Sequence, residues 1–458
     1  MNRIGRRGFL GVCAGSTITV SCSRAGSAVN GLSKKKRPNI VFILCDDLGW
    51  AELGCYGNRF NETPHLDALA SRGMRFTDAY AAAPVCSPTR ASIMTGQYPA
   101  RIGINDYLRG NDEKFLSPDH ATIAKMLGES GYVSALIGKW HLMGDYQKRK
   151  GDPSLHGFTE AICSETRYIG GGSYFHPYKF LPGVEARREG EYLTDRLNQE
   201  AVEFIARNKN RPFFLYLSHY APHTALAAKE AMVTKYKAKP GAGKNKNNPT
   251  LAAMLESVDE GVGMIMAKLN EVGIAENTVV LFMSDNGGEH LVTSNAPLRG
   301  GKSQLYEGGI RVPLIVRWPG AVKPGGVCNV PVTSADLYPT ILEVADAKRK
   351  PDRVVDGESL VPLLRQTGGL KRKAIFWHYP LDKSHFLGGR SSGAVRLGDF
   401  KLIEFYDNGQ VELYNLARDI GETTNLAGSL PQRTAALRKM LSDWRKDVGA
   451  EAPPPIRS

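Results

Sequence analysis

Four short runs of the chain are apolar from end to end, and each stops at residues that can do chemistry. Residues 39–44 (NIVFIL) run into Cys45-Asp46-Asp47, and residues 132–139 (YVSALIGK) into Trp140-His141. Residues 212–218 (PFFLYLS) lead to His219 and then His223, and residues 278–284 (TVVLFMS) to Asp285-Asn286-Gly287-Gly288. Runs this short and this continuous predict strands covered on both faces. Between them lie segments with helical spacing: a stretch opening at Pro64 and closing at Gly73, residues 120–131, and residues 251–273. The alternation predicts an α/β fold with a large mixed, mostly parallel sheet flanked by helices. In such sheets ligand sites form beyond the carboxyl ends of the strands, where carboxylates, an amide, histidines and a lysine stand here.

After Pro351 the pattern changes. Residues 374–379, 392–405 and 411–416 read as short antiparallel strands, and residues 431–448 as a closing helix. This predicts a large domain over 38–345 and a smaller α+β subdomain over 370–450. A chain of 458 residues, 42% of them hydrophobic, is long enough to bury both.

The first residues read as an address rather than as fold. Arg3, Arg6 and Arg7 precede a weakly apolar stretch from Phe9 to Val20, and no acid interrupts it. Arg6-Arg7 followed by Gly8-Phe9-Leu10 resembles a twin-arginine signal, which hands folded bacterial proteins to the twin-arginine export machinery. Residues 1–28 are expected to be removed, leaving a periplasmic or extracellular protein. A lipid anchor on Cys22 is the alternative, against which Thr19-Val20-Ser21 makes a poor lipobox. Losing the four arginines of residues 1–28, a stretch without acids, takes the net charge from +13 to +9. That balance favours anionic partners. No basic stretch is interleaved with aromatic residues and no nucleic-acid motif is present, which speaks against DNA or RNA. The lysines between Lys235 and Lys246 read as a solvated loop. Past the leader the cysteines are Cys45, Cys55, Cys86, Cys163 and Cys328, an odd set without metal-type spacing.

One of them stands apart. In Val85–Gly96 (VCSPTRASIMTG), Ser87 suits an N-cap, Pro88 the first helical position and Gly96 the stop. Residues four apart share a helix face, so Cys86 and Arg90 should be neighbours. Asp46, Asp47, Asp285 and Asn286 are oxygen donors, a set suited to a hard cation such as calcium or magnesium and not to zinc.

At this point the chain resembles the type I sulfatases of the alkaline-phosphatase-like superfamily. Cys86-Ser87-Pro88-Thr89-Arg90 matches their Cys-x-Pro-x-Arg signature, followed in family order by residues 138–142 (GKWHL), 221–224 (APHT), 284–288 (SDNGG) and 297–320. The resemblance implies that a formylglycine-generating enzyme oxidises Cys86 to formylglycine, whose hydrate is the nucleophile. It implies one calcium ion held by Asp46, Asp47, Asp285 and Asn286, with residue 86 completing the shell. Arg90 would steady the hydrate, and Lys139 and Lys302 would contact the sulfate. His223 would protonate the leaving alcohol, and His141 would act as the base that releases sulfate. Met143 stands where the family commonly has glycine, and Ala225 where proline is common; neither removes a functional group. The implied substrate is a sulfated carbohydrate or other sulfate ester, with Asn105, Asp106, Arg109, Arg167, His176 and His290 as candidates to face the leaving group. Two alternatives stay open: a phosphodiesterase or phosphonate hydrolase of the same superfamily, and a binder that has lost catalysis.

Overall fold

The computed structural model describes residues 37–166, 173–181 and 183–450. The leader with Arg6-Arg7 and Cys22, the candidate Arg167, and the proline-rich tail lie outside the described residues. The four predicted runs are strands. In chain order the strands are β1 (Asn39–Cys45), β2 (Met74–Phe76), β3 (Ala79–Tyr80), β4 (Val133–Gly138), β5 (Glu160–Ile162), β6 (Phe213–Ser218), β7 (Thr278–Ser284), β8 (Leu314–Arg317), β9 (Gly326–Cys328) and β10 (Val332–Thr333). The C-terminal strands are β11 (Ala374–Tyr379), β12 (Ser392–Leu397), β13 (Phe400–Phe405) and β14 (Val411–Asn415).

The main sheet has eight strands in the order β5-β4-β6-β1-β7-β8-β2-β9. From β5 to β7 all pairs are parallel; β8 then runs antiparallel to both β7 and β2. The four chemistry-bearing strands, β4, β6, β1 and β7, are consecutive in this order. At about 4.8 Å between neighbours, their carboxyl ends fall within one site-sized span.

Side chains of β1 alternate between two cores, as the period of a strand requires. Ile40, Phe42 and Leu44 pack with Ile93, Met94, Leu127 and Ile341 on one face. Val41 and Ile43 pack with Leu197, Phe204, Leu255 and Val258 on the other. The second face is covered by the helices Leu193–Asn208 and Pro249–Glu271. The latter starts where Asn248 accepts hydrogen bonds from the Thr250 and Leu251 amides, with Pro249 at its first position.

The predicted C-terminal pattern is an antiparallel meander in the order β11-β12-β13-β14. The helix Pro431–Asp447 lies on it through Leu437, Leu441 and Trp444, whose ring stacks on Phe376 at 4.9 Å. No helix among the described residues is long and apolar enough to cross a membrane.

A buried charge cluster joins this sheet to the main one. Lys401 on β13 bonds Glu307 and Glu422, each at 2.9 Å, and all three are shut off from water. Burial pushes Glu307 up, but Lys401 and Arg311 outweigh it and hold the carboxyl below its usual range. Lys401→Met leaves Glu422 in the interior without its cation and Glu307 with Arg311 alone. The loss expected from breaking such a group is about 3–5 kcal/mol. Urea unfolding should show it as a markedly lower midpoint, and an unchanged midpoint would mean the cluster is not holding the sheets together.

Candidate active site

The helix carrying the signature runs from Cys86 to Thr95. Here the structure departs from the expected cap. Val85, extended at φ −144°, is the N-cap, and Ser87 lies inside the first turn. The Ser87 hydroxyl instead accepts the Leu108 amide at 3.0 Å, which ties a distant loop to the helix start. Gly96 ends the helix as predicted, at φ 71°, and a Cβ there would press on Tyr338 at 2.9 Å.

Arg90, one turn on, is fully buried and reaches the ends of all four central strands. It bonds the Asp285 carboxylate after β7 at 2.7 and 2.9 Å, and Ser218 Oγ at the end of β6 at 2.6 Å. It also bonds the Lys139 carbonyl after β4 at 3.1 Å and stands 3.6 Å from Asp46 after β1. One guanidinium with five fixed donors is suited to lock four chain ends together.

Two lysines flank the same carboxylates. Lys139 bonds Asp46 at 2.6 Å, and Lys302 bonds Asp47 at 2.7 Å and His223 Nε2 at 3.0 Å. Burial would lower both lysines, but their carboxylate partners outweigh it and keep them cationic. Burial would likewise raise Asp46, yet Lys139, His223 and Arg90 hold it well below the carboxylate range. Burial pushes Asp285 up to about 7; Arg90 pulls the other way, and Asp46 and Asp47 add to the rise. Donor atoms of Asp46, Asp47, Cys86 and His223 all lie within 4.8 Å of one another.

The donor set can hold a hard cation. Asn286 donates Nδ2–H to Asp47 at 2.8 Å, which turns its Oδ1 free of any hydrogen bond in the interior. Asp46 Oδ1 is also buried without a hydrogen-bond partner. Buried oxygens left unpaired are costly, and a cation among them satisfies both.

The two histidines differ. His223 is the part-open member of the group; its Nδ1 bonds the Thr224 carbonyl, and its Nε2 accepts from Lys302. His141 is buried at φ 56°. Its Nε2 must donate to the Leu108 carbonyl at 2.9 Å, so Nδ1, which has no partner, is the basic nitrogen. Burial first, then Lys139 and Arg90, push His141 far below its ordinary value and keep it neutral. Burial raises the Cys86 thiol, so the unmodified residue is protonated and a weak nucleophile near neutral pH.

Sequence reasoning missed Glu165. Its buried carboxylate accepts the amides of Trp140 (2.9 Å) and His141 and the Tyr220 hydroxyl (3.0 Å), fixing the backbone where the β4 end turns. It lies 24 residues from His141 in no motif, and only its three partners reveal it. Of the other candidates, Asn105, Asp106 and Arg109 line a cavity described below. His176 bonds the Val184 carbonyl, and His290 Nδ1 is buried and unpaired. The lysine stretch is not all loop: Lys235 and Lys237 close the helix Glu230–Lys237, and ion pairs engage Lys235 with Glu62 and Glu256 and Lys239 with Glu62. All five cysteines past the leader are free.

Three buried cations paired with three carboxylates beside two histidines, at the carboxyl ends of a parallel sheet, define a hydrolase of oxyanion esters with an alkaline-phosphatase-like fold. The chain belongs to the sulfatase family, whose members hydrolyse sulfate esters: the sequence profile "Sulfatase" matches residues 38–347. A second profile, "N-sulphoglucosamine sulphohydrolase, C-terminal", matches residues 301–447. Steryl-sulfatase of Mus musculus is 34% identical, covering 75% of this chain and 67% of that one. Arylsulfatase A of Homo sapiens is 31% identical, covering 90% and 88%. The crystal structure of Ps i-CgsB in complex with k-i-k-neocarrahexaose superposes with a TM-score of 0.81 at 32% identity, covering 92% of this chain and 95% of that one.

Proposed function

We propose that this sulfatase removes sulfate from a sulfated carbohydrate, with a formylglycine made from Cys86 as its nucleophile. The observation that carries the reading is the place of Cys86. It sits at the first turn of a helix, within 4.8 Å of two aspartates and His223, in a pocket that keeps an unmodified thiol protonated. Oxidation of Cys86 by a formylglycine-generating enzyme gives an aldehyde whose hydrate supplies the attacking oxygen. Asp46, Asp47, Asp285, Asn286 and residue 86 would hold one calcium ion, which would supply positive charge to ease ionisation of the hydrate.

The chain's own residues divide the remaining work. Arg90 fixes the strand ends, and Lys139 and Lys302 set positive charge where the sulfate oxygens gather. The free amides of the helix start add to it. His223 Nε2, which accepts a hydrogen bond from Lys302, passes a proton drawn from the Lys302 ammonium to the leaving alcohol. His141 takes a proton from residue 86 at Nδ1, its unpaired nitrogen, when sulfate is released.

Carbohydrate is favoured as the leaving group by relatives named for sugar sulfates. N-acetylgalactosamine-6-sulfatase of Homo sapiens is 34% identical to the chain, and Ps i-CgsB was solved with a neocarrahexaose. The test is sulfate release from k-i-k-neocarrahexaose, N-acetylgalactosamine 6-sulfate, glucosamine-2-N,6-O-disulfate, steryl sulfate and 4-nitrophenyl sulfate. A sugar sulfate is expected to be turned over with the highest kcat/KM among the natural esters. Turnover of steryl sulfate alone would overturn the choice of leaving group.

Metal content gives a further check. Asp285→Ala removes a charged ligand and is expected to abolish both the bound calcium and activity. Asn286→Ala, which removes a neutral one, should weaken binding less. Stoichiometric metal in Asp285→Ala by elemental analysis would refute the ligand set.

Export through the twin-arginine machinery to the periplasm or beyond completes the proposal, since Cys86 could then be oxidised before the protein leaves the cytoplasm. Replacing Arg6 and Arg7 by lysine is expected to hold the precursor in the cytoplasm. Undiminished export of that variant would remove the twin-arginine assignment.

A further inference from the structure

A cavity of about 930 Å³ opens beside the catalytic cluster, between residues 104–114 and 380–386. Both walls are tied to the site. The first is held by the Leu108 amide on Ser87 and the Leu108 carbonyl on His141. The second is held by Gln304 Nε2 on the Leu387 carbonyl at 3.1 Å, and Gly389 packs so closely on Ser303 that a Cβ would meet its carbonyl oxygen at 2.1 Å. Ser303 and Gln304 follow Lys302 in the chain, and the charges of Lys302 and Asp47 reach His385 in the cavity wall.

An aromatic ladder runs across the mouth. Phe386 is 80% exposed and stacks on His385 with centroids 4.4 Å apart. His385 meets the edge of Tyr107 at 5.7 Å, and the Arg109 guanidinium lies 4.3 Å over the Tyr107 ring, paired with Asp106 at 2.9 Å. Large aromatics exposed at a cavity mouth are the usual anchors of a bound partner.

We propose that this cavity seats the sugar chain bearing the sulfate ester, with Phe386 and Tyr107 stacking on pyranose faces, and that it selects against a sterol. The proposal rests on the sulfatase reading given above. Seven of the sixteen lining residues are charged, Asp106, Arg109 and Lys383 among them. A sterol would strip water from these groups and return no hydrogen bonds, at a large cost. Sugar hydroxyls can both donate to the carboxylates and accept from the guanidinium, while their C–H faces cover the aromatic rings.

The test compares Phe386→Ala and Tyr107→Ala with the unmodified sequence on three probes: the best sugar sulfate of the panel above, steryl sulfate and 4-nitrophenyl sulfate. Truncating one stacking anchor is expected to lower kcat/KM on the sugar sulfate about tenfold relative to 4-nitrophenyl sulfate, chiefly through KM. An unchanged ratio between the two would overturn the proposal. So would a loss confined to steryl sulfate, which would make the cavity a sterol site. If the parent enzyme releases no sulfate from any of the three, the sulfatase reading itself has failed, a result separate from either ratio. Because Phe386 is on the surface, its variant folds even if Tyr107→Ala does not.

Discussion

Cys86→Ala is expected to reduce hydrolysis of every sulfate ester to background while leaving the protein folded. The side chain is small, so its truncation costs little packing, and none of the contacts that hold the strand ends runs through it. Arg90, Lys139 and Lys302 keep their carboxylate partners at 2.6–2.9 Å. The pocket therefore stays charged and should still bind sulfate as a product. What is lost is the attacking oxygen, together with the one ligand that residue 86 would give the calcium ion. Removing the nucleophile of a covalent hydrolase lowers turnover by about 10⁶-fold. Product assays read the loss, and calorimetry of sulfate binding shows whether the pocket survived. A variant that still turns over 4-nitrophenyl sulfate at a substantial rate would move the nucleophile elsewhere.

His223→Ala should separate substrates by their leaving groups. A sugar alcohol needs a proton as its S–O bond breaks, whereas a nitrophenolate leaves largely unaided. General acid catalysis contributes about 10²–10⁴-fold, and that is the expected loss on a sugar sulfate. The loss on 4-nitrophenyl sulfate should be far smaller. Lys302 keeps its 2.7 Å bond to Asp47 when the imidazole is gone, so the charge next to the sulfate is preserved. Equal losses on both substrates would make His223 a sulfate binder and shift the acid role to Lys302, which already donates toward His223 Nε2.

What could be read from the sequence was whatever depended on local pattern. Continuous apolar runs marked β1, β4, β6 and β7 because a strand covered on both faces has no polar position to spare. The C-terminal hairpins were equally legible from their turns and alternation. That β4, β6, β1 and β7 are neighbours was not legible, since strand order depends on packing between segments more than 60 residues apart. The N-cap of this helix, Val85 and not Ser87, is hidden for the same reason. Ser87 has the chemistry of a capping residue, but the Leu108 amide, 21 residues on, claims its hydroxyl. Glu165 left no trace in the sequence because it acts on backbone amides, which any residue would present. Short strands such as Glu160–Ile162 are too brief to show a period. The site residues themselves were legible only as a set, through the family's order of motifs.

The most direct test of the central claim is the mass of the tryptic peptide Phe76–Arg90 from catalytically active protein. Sulfur is expected to be absent from residue 86 and an aldehyde to stand in its place, in a fraction that rises with specific activity when a formylglycine-generating enzyme is co-produced. Full activity from protein whose Cys86 is an intact thiol would contradict it.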